Sequence, residues 1–138
     1  MRFMIMVRAN QDTEADVKPS EQLIADMAAY HEELARAGAL VDASGLQPSS
    51  KGWRIRYSGK KRTLVDGPYT EAKELIAGYT IIQAKSREEA LEWTKRFPNP
   101  FPHAEQCEIE VRPIKSLAEL GDSQGMRRFR KLGVGSEE

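Results

Sequence analysis

The five residues Phe3 to Val7 are apolar at every position, the pattern of a strand whose two sheet faces are both covered. Asn10 to Ser20 is polar and contains Pro19, which predicts a loop closing on Ser20 as the N-cap of a helix. In that helix Leu23, Met27, Tyr30 and Leu34 recur at spacings of four, three and four, so one stripe is apolar, and Gly38 ends it. Leu40 to Leu46 reads as a second strand. Trp53, Ile55 and Tyr57 then alternate with Arg54, Arg56 and Ser58, the period-two pattern of a strand with one wet face, and a turn at Gly59 to Lys61 makes Trp53 to Asp66 a hairpin.

Asp66-Gly67-Pro68 predicts a turn, and Thr70 predicts the cap of a short helical turn through about Leu75. Gly78 then releases the chain into a strand over Tyr79 to Ala84. Ser86 and Glu89 form the S-x-x-E capping box of a second helix, which Pro98 stops after Phe97. Cys107 to Arg112 reads as the last strand, with Cys107, Ile109 and Val111 on one face and Glu108, Glu110 and Arg112 on the other.

The predicted order is an α+β domain close to a ferredoxin-like split βαβ plan with an inserted hairpin. Two helices shield one face of the sheet, yet the first strand is apolar on both. The economical cover for the second face is another copy of the sheet, in a two-fold homodimer with a barrel-like cleft. The plainer alternative is a monomer whose segment after Leu117 folds back. Residues 1–120 form the expected domain, and residues 121–138, with the basic run Met126 to Lys131, a flexible basic tail.

Lys plus Arg and Asp plus Glu number 21 each, so the overall field favours neither nucleic acid nor an anionic membrane as partner. Cys107 is the sole cysteine, which excludes an internal disulfide, and no Cys/His cluster predicts a metal site. The N-terminal apolar run is too short for a membrane span and lacks a signal-peptide pattern, making the cytoplasm the default location.

The stretch LVDGPYTEAKELIAGY resembles the DGPF-type segment of the YciI-like (YCII-related) proteins, with Tyr69 where phenylalanine is usual. MRFMIMV, MAAYHEELARAGAL, SGLQPSSKGWRIR, SREEALEWTKRFPNP and EIEVRPI extend the likeness over about residues 1 to 114. The resemblance implies a ferredoxin-like dimeric α/β barrel, a fold shared with small oxygenases, isomerases and dehalogenating lyases that act on aromatic or lactone substrates. It implies no particular reaction. Better characterised YciI proteins use a His and Asp pair, and some DGPF-type members are encoded beside alternative sigma factors, which implies a regulatory association.

Candidate chemistry follows from the titratable groups. Asp66, at a strand end before a Gly-Pro turn, is a candidate general base, or simply an Asx turn acceptor. His31, beside the apolar stripe, suits proton transfer, or is a boundary histidine bonded to backbone; HEELA lacks the second histidine of a zinc-protease helix. Tyr69, Glu71 and Lys73 are candidate substrate-binding groups, the charged ones having a solvated face as their plain alternative. Glu110 and Arg112 are expected to line the cleft and, if buried there, to pair with each other or with a ligand. Asp66 and His31 are thus the expected catalytic pair. The expected function is binding of a small polar, aromatic or lactone molecule, with proton transfer and without a cofactor, in a homodimer cleft. The alternative from another class is a noncatalytic regulatory or protein-interaction module.

Overall fold

The computed structural model of the chain describes residues 1–136. Four strands, β1 (Arg2–Arg8), β2 (Leu40–Gly45), β5 (Ile76–Gln83) and β6 (Ile109–Pro113), form one sheet in the order β2-β5-β1-β6, all neighbours antiparallel. The hairpin β3 (Trp53–Ser58) and β4 (Lys61–Asp66) is a separate two-stranded ribbon inserted between β2 and β5. Helices α2 (Glu21–Arg36) and α3 (Arg87–Lys95) provide the crossovers β1-α2-β2 and β5-α3-β6, interleaved as the split βαβ plan expects. The caps are those read from sequence: Ser20 Oγ accepts from the Leu23 amide and Ser86 Oγ from the Glu89 amide.

The core lies between this sheet and the two helices. On the inner sheet face stand Phe3, Ile5, Ile82 and Ala84; Tyr30 and Leu34 of α2 and Ala90 of α3 pack on them, with Ile109 and Val111 at the margin. Ile5, Leu34 and Ile82 are wholly buried. The outer face carries Met4, Met6, Tyr79 and Ile81, all half-buried, so the double-sided apolar character of β1 is present in three dimensions. The described residues form no closed barrel: β2 and β6 are open edges.

Several elements depart from the sequence expectation. The loop after β1 contains a short helix, α1 (Gln11–Glu14), because Asn10 and Thr13 complete a reciprocal capping box that polarity alone did not announce. Strand β5 begins at Ile76, and Gly78 lies inside it rather than before it. A Cβ there would stand 3.0 Å from the Ser44 carbonyl oxygen, so glycine permits the close approach of β2. Cys107 precedes β6 and is exposed, its thiol against Asn99 Oδ1 at 2.9 Å. The short 3-10 turn Ala72–Glu74 is capped by Glu71, not Thr70, and by no side chain. Within the segment expected as a tail lies α4 (Gln124–Leu132), whose Met126 is buried while Phe129 and Leu132 are exposed.

Candidate functional site

Where α2 passes over the end of the sheet, the inner face beneath it holds Ala43, Gly45, Gly78 and Thr80 instead of large aliphatic residues. The missing side-chain volume leaves an apolar cavity of about 560 Å³. Leu23, Met27 and His31 of α2 form one wall, Phe97, Pro100 and Phe101 the other. The apolar stripe of α2 therefore has two uses: Tyr30 and Leu34 enter the core, while Leu23 and Met27 remain half-buried over the void. The lining offers chiefly dispersion and apolar surface, with few polar groups to orient a ligand, the usual make-up of a small-molecule site.

His31 is the titratable group in that wall. Its Nδ1 lies 2.7 Å from the Met27 carbonyl oxygen one helical turn back, and its Nε2 lies 2.8 Å from Thr80 Oγ1. A carbonyl only accepts, so Nδ1 carries the proton in the neutral ring and Nε2 presents a lone pair that accepts from the Thr80 hydroxyl. Thr80 is itself buried, which makes the pair a fixed base and hydroxyl at the cavity floor. Edge contacts with Tyr30 and Phe97, at centroid distances of 5.5 and 6.4 Å, hold the imidazole plane. Burial pushes the Tyr30 phenol up to about 12, with smaller opposing effects of Arg96 and Glu33, and its hydroxyl donates to the Trp93 carbonyl at 2.7 Å. Tyr30 is therefore neutral and structural. Nitrogen-15 NMR of labelled histidine in alkaline buffer is expected to show the Nδ1-H tautomer of His31; a dominant Nε2-H signal contradicts this hydrogen-bond assignment.

The structure separates the other expected site residues from His31. Asp66, exposed at the end of β4 and opposite Trp53 across the ribbon, does not line the cavity, and its carboxylate accepts no hydrogen bond among the described residues. Its turn is fixed by packing instead of an Asx bond: a Cβ on Gly67 would lie 1.8 Å from the Ser49 carbonyl oxygen, and the Gly67 amide donates to the Gly52 carbonyl at 3.1 Å. Tyr69 belongs to the same clasp. Its hydroxyl donates to the Val65 carbonyl at 2.7 Å, its amide to Ser49 Oγ at 3.0 Å, and the Arg54 guanidinium stacks 3.6 Å above its ring. Ser49 in turn donates its amide and hydroxyl to the Glu14 carboxylate, tying the ribbon base to α1.

Glu71 and Lys73 line a second, polar and open depression of about 690 Å³ with Asn10, Gln11 and Asp12. Arg8 donates to the Lys73 carbonyl and, at 2.8 Å, to Glu110. Glu110 also accepts from Arg112 at 3.2 Å; the two share the outer sheet face, as their alternation predicted, and pair there although Arg112 is exposed. Sequence reading missed Thr80, Phe97 and Phe101 as parts of the His31 site. The available signal was the run of small residues in β2 and β5, which leaves space under a helix. Among the described residues no three His, Cys, Asp or Glu side chains converge as a metal cluster.

The family model described as the YCII-related domain matches residues 1–117. An uncharacterized protein of Rhizobium meliloti (strain 1021) is 30% identical over 94 residues, 68% of this chain and 74% of that protein. Among solved structures, a 5-chloro-2-hydroxyhydroquinone dehydrochlorinase from Burkholderia phenoliruptrix AC1100, in complex with 2,5-dihydroxybenzoquinone, is similar at 19% identity and a TM-score of 0.44, covering 84% of this chain and 95% of that one.

Proposed function

The chain belongs to the YCII-related domain family, and from that premise we propose that it binds a small, mainly apolar molecule of aromatic or lactone type and transfers a proton to or from it at His31. The observation that carries this reading is the imidazole in the wall of the apolar cavity, its tautomer set by Met27 and its Nε2 held by Thr80. A base needs a defined proton-accepting atom and surroundings that exclude water from its partner. Nε2 supplies the first through Thr80, whose hydroxyl passes its proton to Nε2 as its oxygen takes one from the ligand, and Phe97, Phe101 and Met27 surround that point with apolar surface. The Thr80 hydroxyl has two roles open to it: it positions the ring, and by turning its own proton toward Nε2 it leaves its oxygen lone pairs facing the void.

The dimer belongs to the same proposal. Met4, Met6, Tyr79 and Ile81 offer an apolar outer face flanked by Glu110 and Arg112, and a second ferredoxin-like sheet would cover it in a two-fold barrel-like pair. A noncatalytic interaction module remains the second reading, favoured by the exposed Trp53, Tyr57 and Leu64 of the ribbon.

A panel of small aromatic acids and lactones separates the readings. Compounds that enter the cavity raise the melting temperature, because they bind the native state alone. Solvent deuterium incorporation into a stabilising compound is expected to fall by about 10²- to 10⁴-fold in His31→Gln, the usual weight of a general base. Stabilisation with unchanged deuterium incorporation leaves a binding protein and removes the catalytic role. No stabilisation by any compound favours the interaction module.

A further inference from the structure

The ribbon β3–β4 pairs with no other strand among the described residues, and its two faces differ in chemistry. The cross-strand register puts Trp53, Ile55, Tyr57 and Leu64 on one face, with Arg62 beside Tyr57 and Asp66 beside Trp53 at its two ends; Trp53 is 64%, Tyr57 65% and Leu64 58% exposed. Arg54, Arg56 and Lys61 occupy the other. Between Asp42 and Asp66 the chain has no acidic residue, while Lys51 to Arg62 includes six basic ones. The opposite imbalance occurs once: residues 11–33 hold seven Asp and Glu against the single Lys18. That acidic segment, α1 and most of α2, also bears the outer lip of the His31 cavity, where Pro19, Leu23 and the 55% exposed Ile24 present an apolar edge. Asp12 and Asp16 in it form no ion pair among the described residues.

We propose that the ribbon of one protomer docks across the cavity lip of a second copy of this chain, its apolar face on Pro19, Leu23 and Ile24 and its cations among the acidic residues of α1 and α2. Arg62 stands on the docking face itself, across from Tyr57, and Lys60 at the ribbon tip, so both cations come within about 8 Å, the Debye length at physiological salt, of the acidic residues that the apolar face would meet. Two-fold symmetry makes the contact twice, so every cavity gains a lid from its partner. The cavity is thereby incomplete in a lone chain: Trp53 and Tyr57 of the partner supply the missing aromatic wall. This rests on the cavity being a binding site, and the test keeps the two claims apart.

Two charge-reversed proteins are prepared, Lys60→Glu with Arg62→Glu, and Asp12→Lys with Asp26→Lys. The four side chains are exposed, so circular dichroism and melting are expected to show an intact fold for each. By analytical ultracentrifugation each variant alone should dimerise about tenfold more weakly than the parent, and an equimolar mixture should recover the loss as a heterodimer, the result of restoring opposite charges across one interface. Trp53→Ala should weaken dimerisation without sensitivity to salt. Parental dimerisation in both reversed variants, or weak association that mixing does not rescue, overturns the proposal. So does a monomeric parent that still binds a stabilising aromatic ligand with full affinity, which leaves the His31 cavity as the site but without its lid.

Discussion

Replacing Gly67 by alanine is expected to destabilise the ribbon base by about 1–3 kcal/mol, the cost of forcing a methyl into a filled space. The new carbon would stand 1.8 Å from the Ser49 carbonyl oxygen and 2.6 Å from its carbonyl carbon, and both are backbone atoms that no rotamer change can move. Ser49 is also the residue that receives the Tyr69 amide and grips Glu14, so displacing it loosens the Gly67-Gly52, Tyr69-Ser49 and Ser49-Glu14 bonds together. Hydrogen exchange should register this as loss of protection at the Gly67 and Tyr69 amides, larger than any change in β1 or β5. Gly52→Ala is the control, since a Cβ there meets the same Ser49 oxygen at an ordinary 3.7 Å. Its stability should stay within about 0.5 kcal/mol of the parent. Equal behaviour of the two variants would show that the close approach at Gly67 is not what holds the turn.

Leu34→Ala should lower the unfolding free energy by about 2–5 kcal/mol, the range for emptying a well-packed aliphatic site. Leu34 is 0% exposed and lies between α2 and the sheet with Ile5 and Ile82, so little can collapse into the space. Against a total stability of about 5–15 kcal/mol this is a large fraction. Urea denaturation would show a reduced midpoint with an unchanged slope. The same substitution at Ile24, in the same helix, should cost far less, because that side chain is 55% exposed at the cavity lip. Comparable losses at both sites would mean that the lip is as tightly packed as the core, and the cavity would have no soft edge for a ligand or a partner's ribbon.

The Leu34 and Ile24 pair shows how far sequence periodicity reaches. The spacing of Leu23, Met27, Tyr30 and Leu34 identifies a helix and its apolar side, because only one helical face can be removed from water. It is silent on what lies beneath each turn of that face. Tyr30 and Leu34 meet Phe3 and Ile82; Leu23 and Met27 meet Gly45, Gly78 and empty space. His31 has the same double meaning in the sequence, a boundary histidine or a proton carrier, and its partner Thr80, 2.8 Å away, comes from a strand 49 residues on.

The sequence by itself determined the local decisions. The caps at Ser20 and Ser86, the ribbon with its alternating faces, the double-sided β1 and the common face of Glu110 and Arg112 all follow from interactions among near neighbours or from a two-residue period. The family likeness rests on the same short motifs. Only the tertiary structure decided that His31 and Asp66 stand apart. Tyr69, within the motif that drew attention, fastens the turn that follows Asp66, while His31, Thr80 and Phe101 meet through the packing of a helix, a strand and a proline-rich loop. A cavity is a deficit of side-chain volume summed over segments distant in sequence, and no local pattern encodes such a sum.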